Sequence, residues 1–198
     1  MAPAKFKRLV NIIRKVGSDL AKRKNSWTEV KIEKYLREGR GEGEGDNYKP
    51  WLTIQDVPSL GLVTRLKGWK TNRIHHFLSN LEKSFFYLWE WDEDILDIRE
   101  QYPLYRIDTL KIAEQKNIRH PSDPKNQVPI VMTTDFLLTI KFGNEQKLFA
   151  RAVKPSNELE KKRTIEKLEL EREYWTQKGI DWAIVTEKEI PQELVRNI

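Results

Sequence analysis

Asp135 and Lys154 are the residues of this chain whose surroundings most invite chemistry. Asp135 interrupts the apolar run Pro129-Ile-Val-Met-Thr-Thr-Asp135-Phe-Leu-Leu, and Lys154 closes a second run, Ala150-Arg-Ala-Val-Lys154-Pro155. A β-segment that buries its neighbours has little physical reason to carry a carboxylate, so Asp135 must meet a metal, a cation or a hydrogen-bond network. Phosphodiester hydrolysis needs a charge clamp for the in-line transition state, a water made nucleophilic and a stabilised leaving oxygen. Two carboxylates holding magnesium, which prefers oxygen ligands and keeps several waters, plus one lysine can supply all three. A plain ion pair between Asp135 and Lys154 would also explain both charges, and the residues alone leave the two readings open.

The elements that position this pair follow from pattern. Val128 to Phe142 is rich in β-branched and aromatic residues, Gly143-Asn144 is a two-residue turn signal, and Gln146 to Lys154 reads as the return strand. Pairing Phe142 with Glu145 across the turn sets Asp135 opposite Ala152, with Lys154 one diagonal step away on the same face. The other face of the first strand carries Phe136, Leu138, Ile140 and Phe142, a core pattern of period two. A slip of one residue would destroy the arrangement.

At 198 residues the chain can bury the core of one ordinary domain, and seven tryptophans, six tyrosines and seven phenylalanines supply bulk for it. No apolar stretch reaches membrane-span length, and the opening residues lack the apolar region of a secretion signal. The absence of cysteine excludes disulfides and thiolate zinc sites. A cytoplasmic location is the expectation. Of the net charge of +6, residues 1–24 hold +7, from eight basic side chains against Asp19. Phe6, Leu9, Val10, Ile13, Val16 and Leu20 recur at helical spacing within that segment, which predicts a basic amphipathic N-terminal helix. Phosphate binding, partner docking and a solvated face all suit it, the first best. Two regions are therefore expected, 1–24 and a domain over 25–198.

Along that domain Trp27 to Arg37 predicts a helix capped by Asn25 or Ser26. Gly39-Arg-Gly-Glu-Gly-Glu-Gly45 is a loop without Gly-Lys-Ser/Thr, and its glutamates would repel a phosphate. After an irregular approach from Ser59 to Asn72, Arg73 to about Trp91 reads as a helix with Ile74, Phe77, Leu78, Leu81, Phe85 and Leu88 as its apolar stripe. Glu82 sits beside that stripe. Ile95 to Tyr105 and Trp182 to Thr186 read as strands, and Leu159 to Gln177 as a long charged helix. Interleaved strands and helices predict an α/β architecture with a mixed sheet. His75 and His76 would point to different faces of the helix, and three histidines so placed make no zinc set. For Arg99-Glu100-Gln101, strand-end structure and site support are equally good readings.

Several motifs occur in a telling order: Gly39-Arg-Gly with Tyr48-Lys-Pro-Trp51, Arg73-Ile-His-His-Phe-Leu-Ser-Asn-Leu-Glu82, Asp97-Ile-Arg-Glu-Gln-Tyr-Pro-Leu104, His120-Pro121, Thr133-Thr-Asp-Phe136, Ala150-Arg-Ala-Val-Lys-Pro155 and Glu171-Arg-Glu-Tyr-Trp175. From about residue 27 onward the chain resembles the TnsA endonucleases of heteromeric cut-and-paste transposases. The resemblance implies a restriction-endonuclease-like core. It implies that Glu82 and Asp135 bind magnesium, with manganese as a substitute, that the backbone carbonyl of Val153 contributes, and that Lys154 is the catalytic lysine. It further implies cleavage at the 5′ ends of a transposon, with a TnsB-like transposase acting at the 3′ ends and a TnsC-like AAA+ ATPase regulating both. The expected partners are thus transposon-end DNA and these two proteins, in a prokaryotic cytoplasm and at the nucleoid when active.

One position departs from the family pattern, which has glutamine or glutamate two residues before the lysine, where this chain has Ala152. Glu100 is a candidate to compensate. The alternative is a DNA-binding or scaffolding subunit whose chemistry is weakened at Ala152. A free-standing restriction or repair nuclease is the third reading, disfavoured by the motifs outside the hairpin. Glu82 as a surface helix acid remains the plainer account of that residue.

Overall fold

The computed structural model describes residues 26–57, 63–191 and 193. The basic segment over 1–24 lies outside the described residues, as does part of the expected approach from Ser59. In chain order run α1 (Glu29–Arg37), β1 (Thr64–Lys67), β2 (Ile74–Phe77), α2 (Asn80–Glu90), β3 (Ile95–Pro103), α3 (Arg106–Gln115), β4 (Thr133–Phe142), β5 (Glu145–Val153), α4 (Lys162–Gln177) and β6 (Asp181–Val185). Short 3-10 turns lie at Gly45–Asn47 and Ser156–Glu160.

The central sheet grows from the β4–β5 hairpin. Gly143 takes φ +63°, the left-handed conformation that a glycine enters without steric cost, and the turn it closes pairs Phe142 with Glu145. The register then runs unbroken to Phe136 opposite Arg151, and the pairing ends there, one residue short of Asp135 and Ala152. β3 joins β4 antiparallel and β6 joins β5 parallel, α4 being the crossover, so the order β3-β4-β5-β6 is a mixed sheet. β1 and β2 form a separate antiparallel ribbon.

Helices cover both faces. Phe136, Leu138 and Val153 pack with Phe77, Phe85 and Phe86 from β2 and α2. Leu137 and Ala150, on the other face, pack with Ile112 of α3 and with Leu170, Tyr174 and Trp175 of α4. A smaller cluster of Ile32, Tyr35, Trp51 and Val131 ties α1 to the segment entering β4. The α/β architecture with a mixed sheet flanked by helices is thus as the sequence predicts. No helix among the described residues is long and apolar enough to cross a membrane.

Several local expectations change. β4 begins at Thr133 rather than Val128, because the residues before it run alongside Leu104 and Pro121 without a ladder partner. Its core is two-sided rather than one-sided, and Phe142 at the hairpin tip is 62% exposed, with the Lys147 ammonium 4.5 Å from its ring centre. The stretch expected to open a helix at Arg73 is instead β2: its burial alternates, with His75 and Phe77 inside and Ile74 outside, and the helix starts only at Asn80 behind its cap Ser79. α1 is capped by Thr28, whose hydroxyl accepts from the Lys31 amide at 3.2 Å, rather than by Ser26, and Asn25 lies outside the described residues. α4 starts at Lys162, not Leu159, and α3 is an element that no sequence pattern announced.

Candidate active site

Glu82 occupies the third position of α2 and completes a capping box with Ser79. The Glu82 amide donates to Ser79 Oγ at 3.1 Å, and Ser79 Oγ–H donates to Glu82 Oε1 at 2.9 Å. Oε2 accepts from the Leu78 amide at 3.0 Å and from Gln101 Nε2 at 3.3 Å. Gln101 reaches it from β3 with its backbone at φ +50°, a left-handed conformation unusual for a residue with a side chain, and Thr133 Oγ1 donates to its Oε1 at 3.2 Å.

Asp135 lies at the base of the hairpin, where β4 and β5 part. Its Oδ2 accepts from the Val153 amide at 2.7 Å and from Lys154 Nζ at 2.6 Å. The Lys154 amide continues the β5–β6 ladder, donating to Val185 O at 2.9 Å, so the backbone on both sides of this ion pair is fixed by sheet pairing. The lysine side chain is one-third exposed and the aspartate largely buried.

A third acid, which sequence reasoning quoted only within a motif, joins them. Glu171 of α4 is buried, and its Oε1 accepts from Thr134 Oγ1 at 2.9 Å and from Trp182 Nε1 at 3.0 Å. Trp175 Nε1 in turn donates to Thr134 Oγ1 at 2.6 Å. Its signal in the sequence was an acid three residues after Leu168 and four before Trp175, on the apolar stripe of an otherwise charged helix. Asp135, Lys154, Glu171, Thr133 and Lys167 share the wall of one cleft of about 360 Å³. Glu82 is not among the residues lining that cleft, and its link to it is electrostatic, through Asp135.

Like charge crowded into a poorly solvated place has the expected result. Burial, and after it the Asp135 carboxylate, pushes Glu82 up to about 7. Burial and Asp135 likewise push Glu171 up to about 7. For Lys154 burial works against the charge, but Asp135 outweighs it and raises the ammonium above its ordinary value.

Among the described residues no three Asp, Glu, His or Cys side chains converge as a complete metal cage. What the site offers a cation is the carboxylates of Asp135, Glu82 and Glu171, the last two raised in part by the Asp135 charge, and an Asp135 Oδ1 without a hydrogen-bond donor among the described residues. An all-oxygen, excess-negative set suits a hard divalent ion that keeps its own waters. The Val153 group engaged here is its amide, not its carbonyl.

Glu100 does not stand in for a polar group at Ala152. Ala152 is buried in the sheet opposite Ile184. Glu100 points away from the cleft into a sealed cluster: Arg73 Nη1 donates to Glu100 Oε1 at 2.8 Å, and His75 Nδ1 lies 2.9 Å from Oε2. His75 Nε2 is held by Thr71 Oγ1 at 2.7 Å, so both ring nitrogens are used structurally. Neighbouring strand residues face opposite ways, and it is Gln101 that reaches the acids. His76 points away from His75, and His120 packs between Thr109 Oγ1 and the Pro121 carbonyl.

Residues 92–187 match the family described as TnsA-like endonuclease N terminal. That span holds Asp135, Lys154 and Glu171, with Glu82 just before it. The transposon Tn7 transposition protein TnsA of Escherichia coli is 49% identical over 179 residues, which are 90% of this chain and 64% of that relative. The chain thus spans less than two thirds of the relative's length. In its mixed sheet, its hairpin-borne acid and lysine and these two matches, the chain is similar to the TnsA-like endonucleases, whose core is restriction-endonuclease-like.

Proposed function

We propose that this chain is a metal-dependent DNA endonuclease subunit of a transposition machine, hydrolysing phosphodiesters at the 5′ ends of its element. The observation that carries the reading is the Lys154–Asp135 contact on the wall of an open cleft, with two buried acids, Glu82 and Glu171, that the Asp135 charge helps to raise. Glu82 and Asp135 would hold magnesium, or manganese in its place, with the Val153 carbonyl as a further ligand. Bound there, the ion would neutralise charge on the scissile phosphate and make a water more acidic. Lys154, released from neutralising Asp135 alone, holds the attacking water or a phosphate oxygen. Gln101 steadies Glu82 in its ionised form. Glu171, poised near neutral pH, can take or return a proton at the cleft wall. A TnsB-like transposase and a TnsC-like ATPase are the partners that the likeness to TnsA favours.

A second reading has its own support. The 2.6 Å Lys154–Asp135 contact satisfies both charges without a metal, and Ala152 offers no polar group, as expected of a DNA-binding scaffold with weakened chemistry. Strand-resolved mapping of transposon-end breaks, with the TnsB-like and TnsC-like partners and magnesium present, separates the two. Cuts at the 5′ ends that vanish in Asp135→Ala support the endonuclease. Only 3′-end events with either protein would leave the scaffold.

A further inference from the structure

The cleft does not stop at the acids. It opens into a second hollow of about 260 Å³, and Pro121, Ile130 and Lys167 belong to both walls. The charged lining of this hollow is Arg119, Arg163 and Lys167, without a carboxylate among the lining residues. Arg163, Lys167 and Glu171 follow one another at four-residue intervals along one face of α4, so the row leads from the buried acid outward at about 6 Å per step. Lys167 is exposed at the junction of the two hollows and has no ion pair or hydrogen bond among the described residues. Arg119 donates only to the neutral Gln127 amide oxygen at 2.9 Å. Arg163 shares its charge with Glu166 at 2.9 Å on its own helix, a half-exposed pair that a stronger anion can displace.

Lys167 and Arg163 stand one turn apart on α4 and Arg119 joins them from the loop after α3 on the wall of the same hollow, a spread of charge that suits a chain of regularly spaced negative charges. A 6 Å step corresponds to one to two nucleotides at about 3.4 Å of axis rise each. We propose that Arg119, Lys167 and Arg163 form a rail for the DNA backbone. They bind consecutive phosphates of the cleaved strand, from one to two nucleotides beyond the scissile phosphate outward, and lay that strand along α4. This assignment rests on the nuclease reading of the adjoining acids and adds the direction in which the strand leaves them. The three side chains are positioning residues, since none reaches the reacting atoms.

The test is equilibrium binding of the full chain to a fluorescein-labelled 30-base-pair duplex of mixed sequence, without divalent ions, across a salt series. The triple variant Arg119→Ala/Arg163→Ala/Lys167→Ala should bind at least about tenfold more weakly at 0.1 M salt. It should also flatten the plot of log affinity against log salt by about two to three contacts. Lys167→Arg should restore part of the loss in that background. A control triple at exposed cations that line neither hollow, Arg37→Ala/Lys111→Ala/Lys141→Ala, should leave the slope of the parent unchanged. Matching circular dichroism melts establish that the variants fold. An unchanged slope in the rail triple, or an equal fall in the control triple, overturns the rail. Failure of the nuclease reading looks different: duplex is bound with the expected slope change, yet no magnesium-dependent cut appears in the reconstituted reaction.

Discussion

Glu100 and Gln101 are neighbours on β3, and the buried acids on their two sides hold their protons oppositely. Glu100 is completely buried, and burial alone would raise its carboxyl, yet the Arg73 fork and His75 overcome that and hold it at about 2. Glu82 and Glu171 are as deeply buried, but the one cation in reach, Lys154, is committed to Asp135, and both acids rise to about 7. A structural acid is one whose charge the fold has already answered. A working acid is one whose charge the fold leaves for something else to answer, and here the place left open faces a cleft.

The largest effect separating the clusters should be on stability. Glu100→Gln leaves the Arg73 guanidinium buried without a carboxylate, and urea unfolding should show a loss of about 3–5 kcal/mol. Asp135→Asn should change the same unfolding free energy by no more than about 1 kcal/mol, because Lys154 can turn to water, while transposon-end cutting falls by about a hundredfold or more. If Asp135→Asn proves as destabilising as Glu100→Gln, the contrast between structural and working acids collapses.

The pH dependence is a finer probe. Glu171 titrates near 7 in the fold against about 4.5 when unfolded, so the folded state binds its proton more tightly. Its contribution is full below about 4.5 and is lost as pH rises through about 7. Melting temperature of the metal-free protein should therefore fall between those values, and Glu171→Gln should flatten the curve. A curve of the same shape in the variant would assign the loss to other groups. The smallest expected change is at Gln101. Gln101→Gly relieves a left-handed backbone but removes a donor to ionised Glu82, so stability should stay within about 1 kcal/mol while the Glu82 carboxyl moves further up. Carbon-13 shifts of the glutamate carboxyls against pH would record that movement, and no movement would remove Gln101 from the site.

The hairpin register was legible because one turn, Gly143-Asn144, fixes all later pairings, and it correctly placed Asp135 beside Lys154. Period alone misread Arg73 to Phe77: Ile74 and Phe77 also fit a helical stripe, and what makes the segment extended is the distant Glu100 that Arg73 and His75 enclose. α3 was hidden for a related reason, since Thr109, Ile112 and Ala113 are buried among polar neighbours and give little contrast between faces. Glu82 was placed on its helix, but its role as the helix's own cap appears only with Ser79 in view. The direction of Glu100 and Gln101 could not be read from adjacent letters, because it depends on the β3–β4 register and on the positive φ at Gln101.

The parallel pairing of β5 with β6 bears on the order in which the protein can be made. The Lys154 amide is anchored by Val185, and Glu171 by Trp182, so the cleft borrows from the far end of the described chain. A parallel pairing must be made across a crossover, so more loop-closure entropy is overcome than in the two-residue turn of the hairpin. A nascent chain emerging from the ribosome can close its hairpin early, but its cleft stays unassembled until β6 has been synthesised and has paired. The topology itself thereby delays whatever chemistry the cleft performs until the domain is whole.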